Sequence, residues 1–165
     1  MVAQVLKRDN ILPAIQFAAF VGIAFVAPFF HNQFITGPIV NATLFISTAL
    51  LGTQAGIMVG LMPSVIALSV GTLPAPLAPM VPYIMLSNTI LVVVFGLLSK
   101  KYFTAVVSSS VLKFIFLYAT SYLVVGLLQN KQLAESVAVM MSWPQLITAL
   151  AGGLLAYSFL KFRKS

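Results

Sequence analysis

The chain predicts an all-α integral membrane protein: one domain over residues 1–165, a compact bundle of six transmembrane helices with both termini cytoplasmic. Three observations point there. Hydrophobic residues make up 61% of the chain and charged residues only 7%, against about 25% in a soluble domain, so lipid is the solvent for most of its surface. Apolar runs of spanning length recur, and at about 20 residues per membrane helix the length allows about six spans and no separate soluble domain. The nine Lys and Arg residues gather mostly at the ends of those runs, which anchors helices and is not a nucleic-acid face.

The first apolar stretch, Ile11 to about Phe30, follows a short polar head with Lys7, Arg8 and Asp9. It exceeds the roughly 7 to 15 residues of a signal-peptide core and is read as a retained first span. The second span runs from about Gly37 to Leu51 and the third from about Thr53 to Val70, divided at Gly52. A connector follows in which Pro74, Pro76, Pro79 and Pro82 lack helix N–H donors and favour extended chain. Such backbone must leave the lipid or be covered by protein. The fourth span covers about Tyr83 to Leu98 and stops at Ser99-Lys100-Lys101. The fifth runs from about Phe103 to Leu128, long enough to span with tilt. In the loop from Gln129 to Ser142, Leu133, Val137 and Met140 or Met141 recur at helical spacing around Glu135, which predicts a short surface helix. The sixth span starts near Pro144, tolerated in a first turn, and ends before Lys161, Arg163 and Lys164.

With six spans, Lys7 and Arg8, Lys100 and Lys101, and Lys161, Arg163 and Lys164 all fall on one side, which the positive-inside rule makes the cytoplasmic one. The opposite side receives His31, the proline connector and the Gln129–Ser142 loop, with Lys131 and Glu135 as its charges. An odd number of spans would put the C-terminal basic cluster outside.

Small residues recur at helical spacing in three places. Ala14, Ala18 and Gly22 form a stripe on the first span, where close approach of another helix serves either the bundle or another subunit. Gly52, Gly56 and Gly60, and then Ala149, Gly152, Gly153 and Ala156, are read as tightening the bundle.

Lys113 stands apart, midway along the fifth span, where an exposed ammonium is expensive. Both acidic residues, Asp9 and Glu135, fall outside the spans, so Lys113 snorkels, is neutral, or meets an anion from outside the chain. Gln16, Asn41, Thr43, Asn88, Thr89, Ser109 and Ser110 share the membrane interior. Singly each serves helix packing; together with Lys113 they resemble the few convergent polar groups of a mainly apolar pocket. Tyr118, Tyr122 and Trp143, toward the non-cytoplasmic end, suit either a stacking wall for a flat ligand or an interfacial aromatic belt. His31, near the same interface, either bonds a loop carbonyl or touches ligand.

Enzyme signatures are missing: the chain has no HExxH, no GxSxG, no GxxxxGK[ST] and no intramembrane carboxylate pair. The Ser108–Ser110 run near Lys113 is ordinary helix-packing material. With no cysteine and one histidine, neither a disulfide scaffold nor a zinc cluster is expected, and no metal or other cofactor.

In size, topology and placement of basic residues the chain resembles, over nearly its whole length, the substrate-binding S components of energy-coupling factor (ECF) vitamin transporters. The resemblance is carried by Ala14 and Ala18, which match that family's helix-one AxxxA motif with Gly22 extending the face. It extends to the Gly37-Pro38-Ile39-Val40-Asn41-Ala42 start of the second span, the Gly52–Gly60 region, and the proline connector up to Asn88. It implies a multi-pass protein of a prokaryotic cytoplasmic membrane that binds a vitamin-like solute in a pocket open to the outer side. Lys113 favours an anionic solute, with Asn41, Asn88, Tyr118, Tyr122, Trp143 and Gln16 as further ligand-binding candidates. The resemblance further implies a gate at Pro74, Pro76, Pro79 and Pro82, docking of Ala14, Ala18 and Gly22 onto a transmembrane T component, and two cytoplasmic ATPases that use ATP to drive a toppling motion. Three other classes stand beside this one: a non-catalytic structural or assembly subunit of another membrane complex, a channel, and a self-contained carrier. No repeat between residues 1–82 and 83–165 supports the carrier.

Overall fold

In lipid a backbone finds no hydrogen-bond partners except its own, and a helix satisfies every interior N–H and C=O within one segment. The computed structural model describes residues 8–72 and 75–164, with backbone alone at 8–10, 75–77 and 164. Among the described residues every element is helical: α1 (Arg8–Val26), α2 (Gln33–Leu51), α3 (Thr53–Ser69), α4 (Val81–Leu97), α5 (Tyr102–Leu127), α6 (Lys131–Met140) and α7 (Trp143–Lys164), with 3₁₀ turns at Ala27–Phe30 and Ala75–Met80. Five segments are long and apolar enough to cross a membrane: Ile11–Phe30, Gln33–Leu51, Ala78–Leu97, Tyr102–Leu127 and Lys131–Arg163. The apolar helix α3, with 17 residues, is shorter.

The ends of these helices have local causes. Helix α2 starts four residues before Gly37 because the Asn32 side chain caps it, accepting from the Phe34 N–H at 2.9 Å. Gly52, at φ +88°, ends α2 and lets α3 fold back at once. The short helix expected in the Gln129–Ser142 loop is α6, capped by Asn130, which accepts from Gln132 and Leu133.

The connector differs from the extended chain its prolines predict. Ala75–Met80 winds into a 3₁₀ turn, a geometry whose φ lies close to the proline value of about −65°. Met80, fully buried, packs with Leu117, Val124, Val137 and Met141 and ties the turn to α5 and α6. Of the proposed gate residues, Pro74 lies outside the described residues, Pro76 belongs to the turn, and Pro79 and Pro82 are exposed.

Helices α2, α3, α4, α5 and α7 pack in a closed ring, each against the next, and α7 returns to α2. Helix α1 lies outside this ring against α2 and α3, while α6 crosses one end over α5 and α7. At the opposite end, the one carrying Lys100 and Lys101, a core of Leu44, Phe45, Val59, Leu91, Phe95 and Val106 fills the ring. There Phe45 and Phe95 meet edge to face at 4.8 Å, and Tyr102 donates to the Gly153 carbonyl at 2.8 Å. The outward surface is apolar, with Leu97, Leu127 and Phe162 each more than three-quarters exposed, as suits a surface facing lipid.

Candidate functional site: a cavity floored by Lys113

Two glycines let the ring close tightly around its polar residues. A Cβ on Gly152 of α7 would lie 2.6 Å from the Asn41 Cβ and 2.8 Å from the Ala42 backbone nitrogen, so α7 rides directly on the backbone of α2. A Cβ on Gly60 of α3 would lie 3.3 Å from the Asn88 Cβ of α4. Of the small residues expected to tighten the bundle, Gly152 and Gly60 therefore press against Asn41 and Asn88 and hold them at the same depth, Gly56 meets Thr48 and Val92, and Gly52 is open, with nothing within 4 Å of a Cβ built on it.

Lys113 reaches them from α5. Its Nζ donates to Asn41 Oδ1 at 2.7 Å and to Asn88 Oδ1 at 2.8 Å, and the residue is 3% exposed. The Lys113 side chain thus points into the ring instead of snorkelling along the lipid face. Asn88 is held in register by a second bond, its Nδ2 donating to the Gly60 carbonyl at 2.8 Å, which leaves Oδ1 turned to Lys113. No carboxylate pairs with Lys113 among the described residues; Glu135 sits exposed on α6.

These three residues line the deep end of a cavity of about 600 Å³. Its mouth lies at the end of the bundle that carries His31, Asn32, Gly71, Thr72 and the α6–α7 corner, and its walls include Val40, Pro63, Ala67, Ile84, Met140 and Met141. From Gln33 at the rim to Asn41 at the floor is eight residues of α2, about 12 Å of helix rise. The corner is pinned by Gln33 and Gln145, whose amides both donate to the Met140 carbonyl, at 2.8 and 3.1 Å. His31 meets a loop carbonyl, its Nδ1 lying 2.7 Å from the Phe29 carbonyl oxygen, and the residue also lines the cavity.

The expected ligand residues separate into two groups. Lys113, Asn41 and Asn88 meet at the cavity floor. Tyr118, Tyr122, Trp143 and Gln16 do not line it. Tyr118 and Tyr122 are 56% and 78% exposed on the outer surface of α5, because at 100° per residue they lie about 140° and 180° around the helix from Lys113. Trp143 opens α7 on the outside and packs on Phe34 at 5.9 Å, an arrangement of the interfacial-belt kind. Gln16 is half-buried on α1, outside the ring. Several interior hydroxyls bond only to their own helices: Thr43 to the Ile39 carbonyl, Thr89 to Met85 and Ser109 to Val106. Gln33, Thr36, Ser64, Gln145 and Thr148 line the cavity without having been singled out. A signal for two of them was present, since Gln33 and Gln145 flank the spans where a buried loop carbonyl needs donors.

The stripe on α1 has a different setting from the other two. Ala14, Ala18 and Gly22 are exposed, and nothing lies within 4 Å of a Cβ built on Gly22. Gly22 also borders an apolar groove of about 350 Å³ with Ala19, Ile23, Val26, Phe30 and Ile39.

In comparisons with known proteins, the chain matches no protein-family model, no curated protein and no solved structure.

Proposed function

We propose that the chain is the substrate-binding subunit of an ATP-driven uptake system of the energy-coupling factor type, taking a small vitamin-like solute from the outer side of a prokaryotic cytoplasmic membrane. One observation carries the reading: a cavity of about 600 Å³ inside the helical ring, closed by the aromatic core at the Lys100 end and floored by a buried lysine and two asparagines. Cavities of about 300–1,000 Å³ with apolar walls and a few convergent polar groups are the usual form of small-molecule sites.

In this reading all of α1–α5 and α7 cross the membrane. The 17 residues of α3 are at the lower limit of a span of about 17–25 residues. Both termini and Lys100–Lys101 are then cytoplasmic and the cavity mouth faces outward. The proline connector, whose 3₁₀ turn Ala75–Met80 packs on α6 beside the Met140–Met141 wall of the cavity, serves as its gate. The exposed Ala14–Ala18–Gly22 face and its groove receive a transmembrane partner, the T component, because small side chains let helix backbones approach closely in lipid. Two cytoplasmic ATPases supply the energy. This subunit binds and releases solute and performs no chemistry on it.

Native mass spectrometry of gently purified protein tests the proposal. A stoichiometric adduct of vitamin-like mass is expected. A bare mass that stays unchanged across a vitamin panel would leave the cavity without a solute and favour a structural subunit.

A further inference from the structure

The cavity floor is built for one particular charged group. An ammonium has three N–H donors, and Lys113 commits two of them to Asn41 Oδ1 and Asn88 Oδ1. Asn88 in turn commits one N–H of its amide to Gly60. The donors left at the floor are the third Lys113 N–H, the second N–H of Asn88 Nδ2 and the Nδ2 group of Asn41, which has no partner among the described residues. Resting on the solute-binding reading above, we infer that the cavity takes a monocarboxylic acid with an uncharged, largely apolar body, its carboxylate seated on Lys113 Nζ and Asn41 Nδ2.

Charge and shape both support this assignment. Lys113 is the one Lys or Arg lining the cavity among the described residues, and no acidic residue lines it. A carboxylate of charge −1 brings the floor to neutrality, where a buried net charge is most costly. A phosphate monoester, at about −1.5 to −2, would leave an excess negative charge deep in the bundle. A carboxylate also offers two oxygens with about four lone-pair sites to these remaining N–H groups, while a primary amide offers one weaker acceptor and two donors of its own. Above the floor the wall is mostly apolar, with Val40, Pro63, Ala67, Ile84, Met140 and Met141 set among the uncharged polar side chains of Thr36, Ser64, Gln145 and Thr148, so the solute enters with its carboxylate leading. The unpaired ammonium at mid-depth is therefore half of an ion pair that the solute completes.

Isothermal titration of the purified full-length chain in lipid nanodiscs tests the inference with three probes that share an apolar body: phenylbutyrate, phenylbutyramide and phenylpropyl phosphate. Phenylbutyrate should bind about tenfold or more tighter than the amide, the span of a charge-assisted hydrogen bond, and the phosphate no tighter than the amide. Lys113→Met should bring acid and amide to the same affinity. Asn41→Asp places a carboxylate on the ammonium from within, so it should also lose the preference for the acid while remaining folded, which covers the case in which the methionine variant fails to fold. Equal binding of acid and amide by the natural chain, or tighter binding of the phosphate, overturns the monocarboxylate and leaves solute binding standing. Native mass spectrometry of the same preparation supplies a second arm: a retained solute without a carboxyl group overturns the inference alone. No retained solute, together with no saturation by any probe below about 10 mM, overturns both this inference and the solute-binding reading.

Discussion

Replacing Gly152 by alanine adds one methyl group where α7 crosses α2, and the geometry sets what must follow. The new Cβ would sit 2.6 Å from the Asn41 Cβ, 2.8 Å from the Ala42 nitrogen and 2.9 Å from the Pro38 carbonyl oxygen. Two of these are backbone atoms of a helix, so no side-chain rotation relieves the contact. To regain ordinary carbon–carbon separation of about 3.5–4.0 Å, the two helices must part by about 1 Å. That displacement is enough to stretch the 2.7 Å bond from Lys113 to Asn41 beyond hydrogen-bonding range. Overpacking of this kind costs about 1–3 kcal/mol, so the variant should lose about that much stability and bind solute more weakly. Gly22→Ala is the matched control: the site has open space around it, and alanine's better helix propensity makes it neutral or stabilising by up to about 1 kcal/mol. Unfolding of both variants in mixed micelles, followed through Trp143 fluorescence, reads the difference. If Gly152→Ala is as stable as the natural chain, the close seating of α7 on α2 is wrong, and so is the account of how Asn41 is positioned.

Other perturbations separate the surfaces of the molecule. Changing Ala14 and Ala18 together to leucine should weaken capture of the chain by the proposed transmembrane partner in co-purification while leaving solute affinity within about twofold, since both residues are exposed on α1 outside the cavity ring. Tyr118→Leu with Tyr122→Leu should leave the binding isotherm unchanged, because both rings face outward from α5; a marked loss of affinity would return them to the site. Reporter fusions at each end should both score as cytoplasmic, and an external C-terminal fusion would break the six-span arrangement. Gln33→Ala removes a donor from the Met140 carbonyl, so hydrogen exchange in α6 should speed up, with solute release following the same trend.

The floor triad also shows why the three small-residue stripes, alike in sequence, act differently. Those on α3 and α7 lie on helices of the ring, where α2 and α4 close in on Gly60, α2 on Gly152 and α5 on Gly153. The stripe on α1 belongs to a helix supported on one side, and its small residues remain open. A GxxxG-type pattern records that a close approach is available; which helix makes it is a property of the packed bundle.

From the sequence alone the helices could be read, because lipid forces backbone groups to pair within the segment, but their limits were less exact: α1 gives way to a 3₁₀ turn after Val26, α2 starts four residues before Gly37, and α7 runs on past Lys161 to Lys164. The proline connector was less legible: proline restricts φ to a value shared by extended polyproline and 3₁₀ geometry, and burial of Met80 against α5 and α6 selected the second. For the site, the sequence singled out Lys113, Asn41 and Asn88 by the cost of placing such groups in lipid. The outward positions of Tyr118 and Tyr122 were already implied by helical phase relative to Lys113. What tertiary structure alone decided is the direction of the ammonium and its company. Residues 72 and 25 positions apart along the chain meet Lys113 only because α2 and α4 border the same cavity. A one-dimensional hydropathy pattern records depth in the membrane, whereas a binding site also requires the rotation of each helix about its axis, and packing sets that rotation.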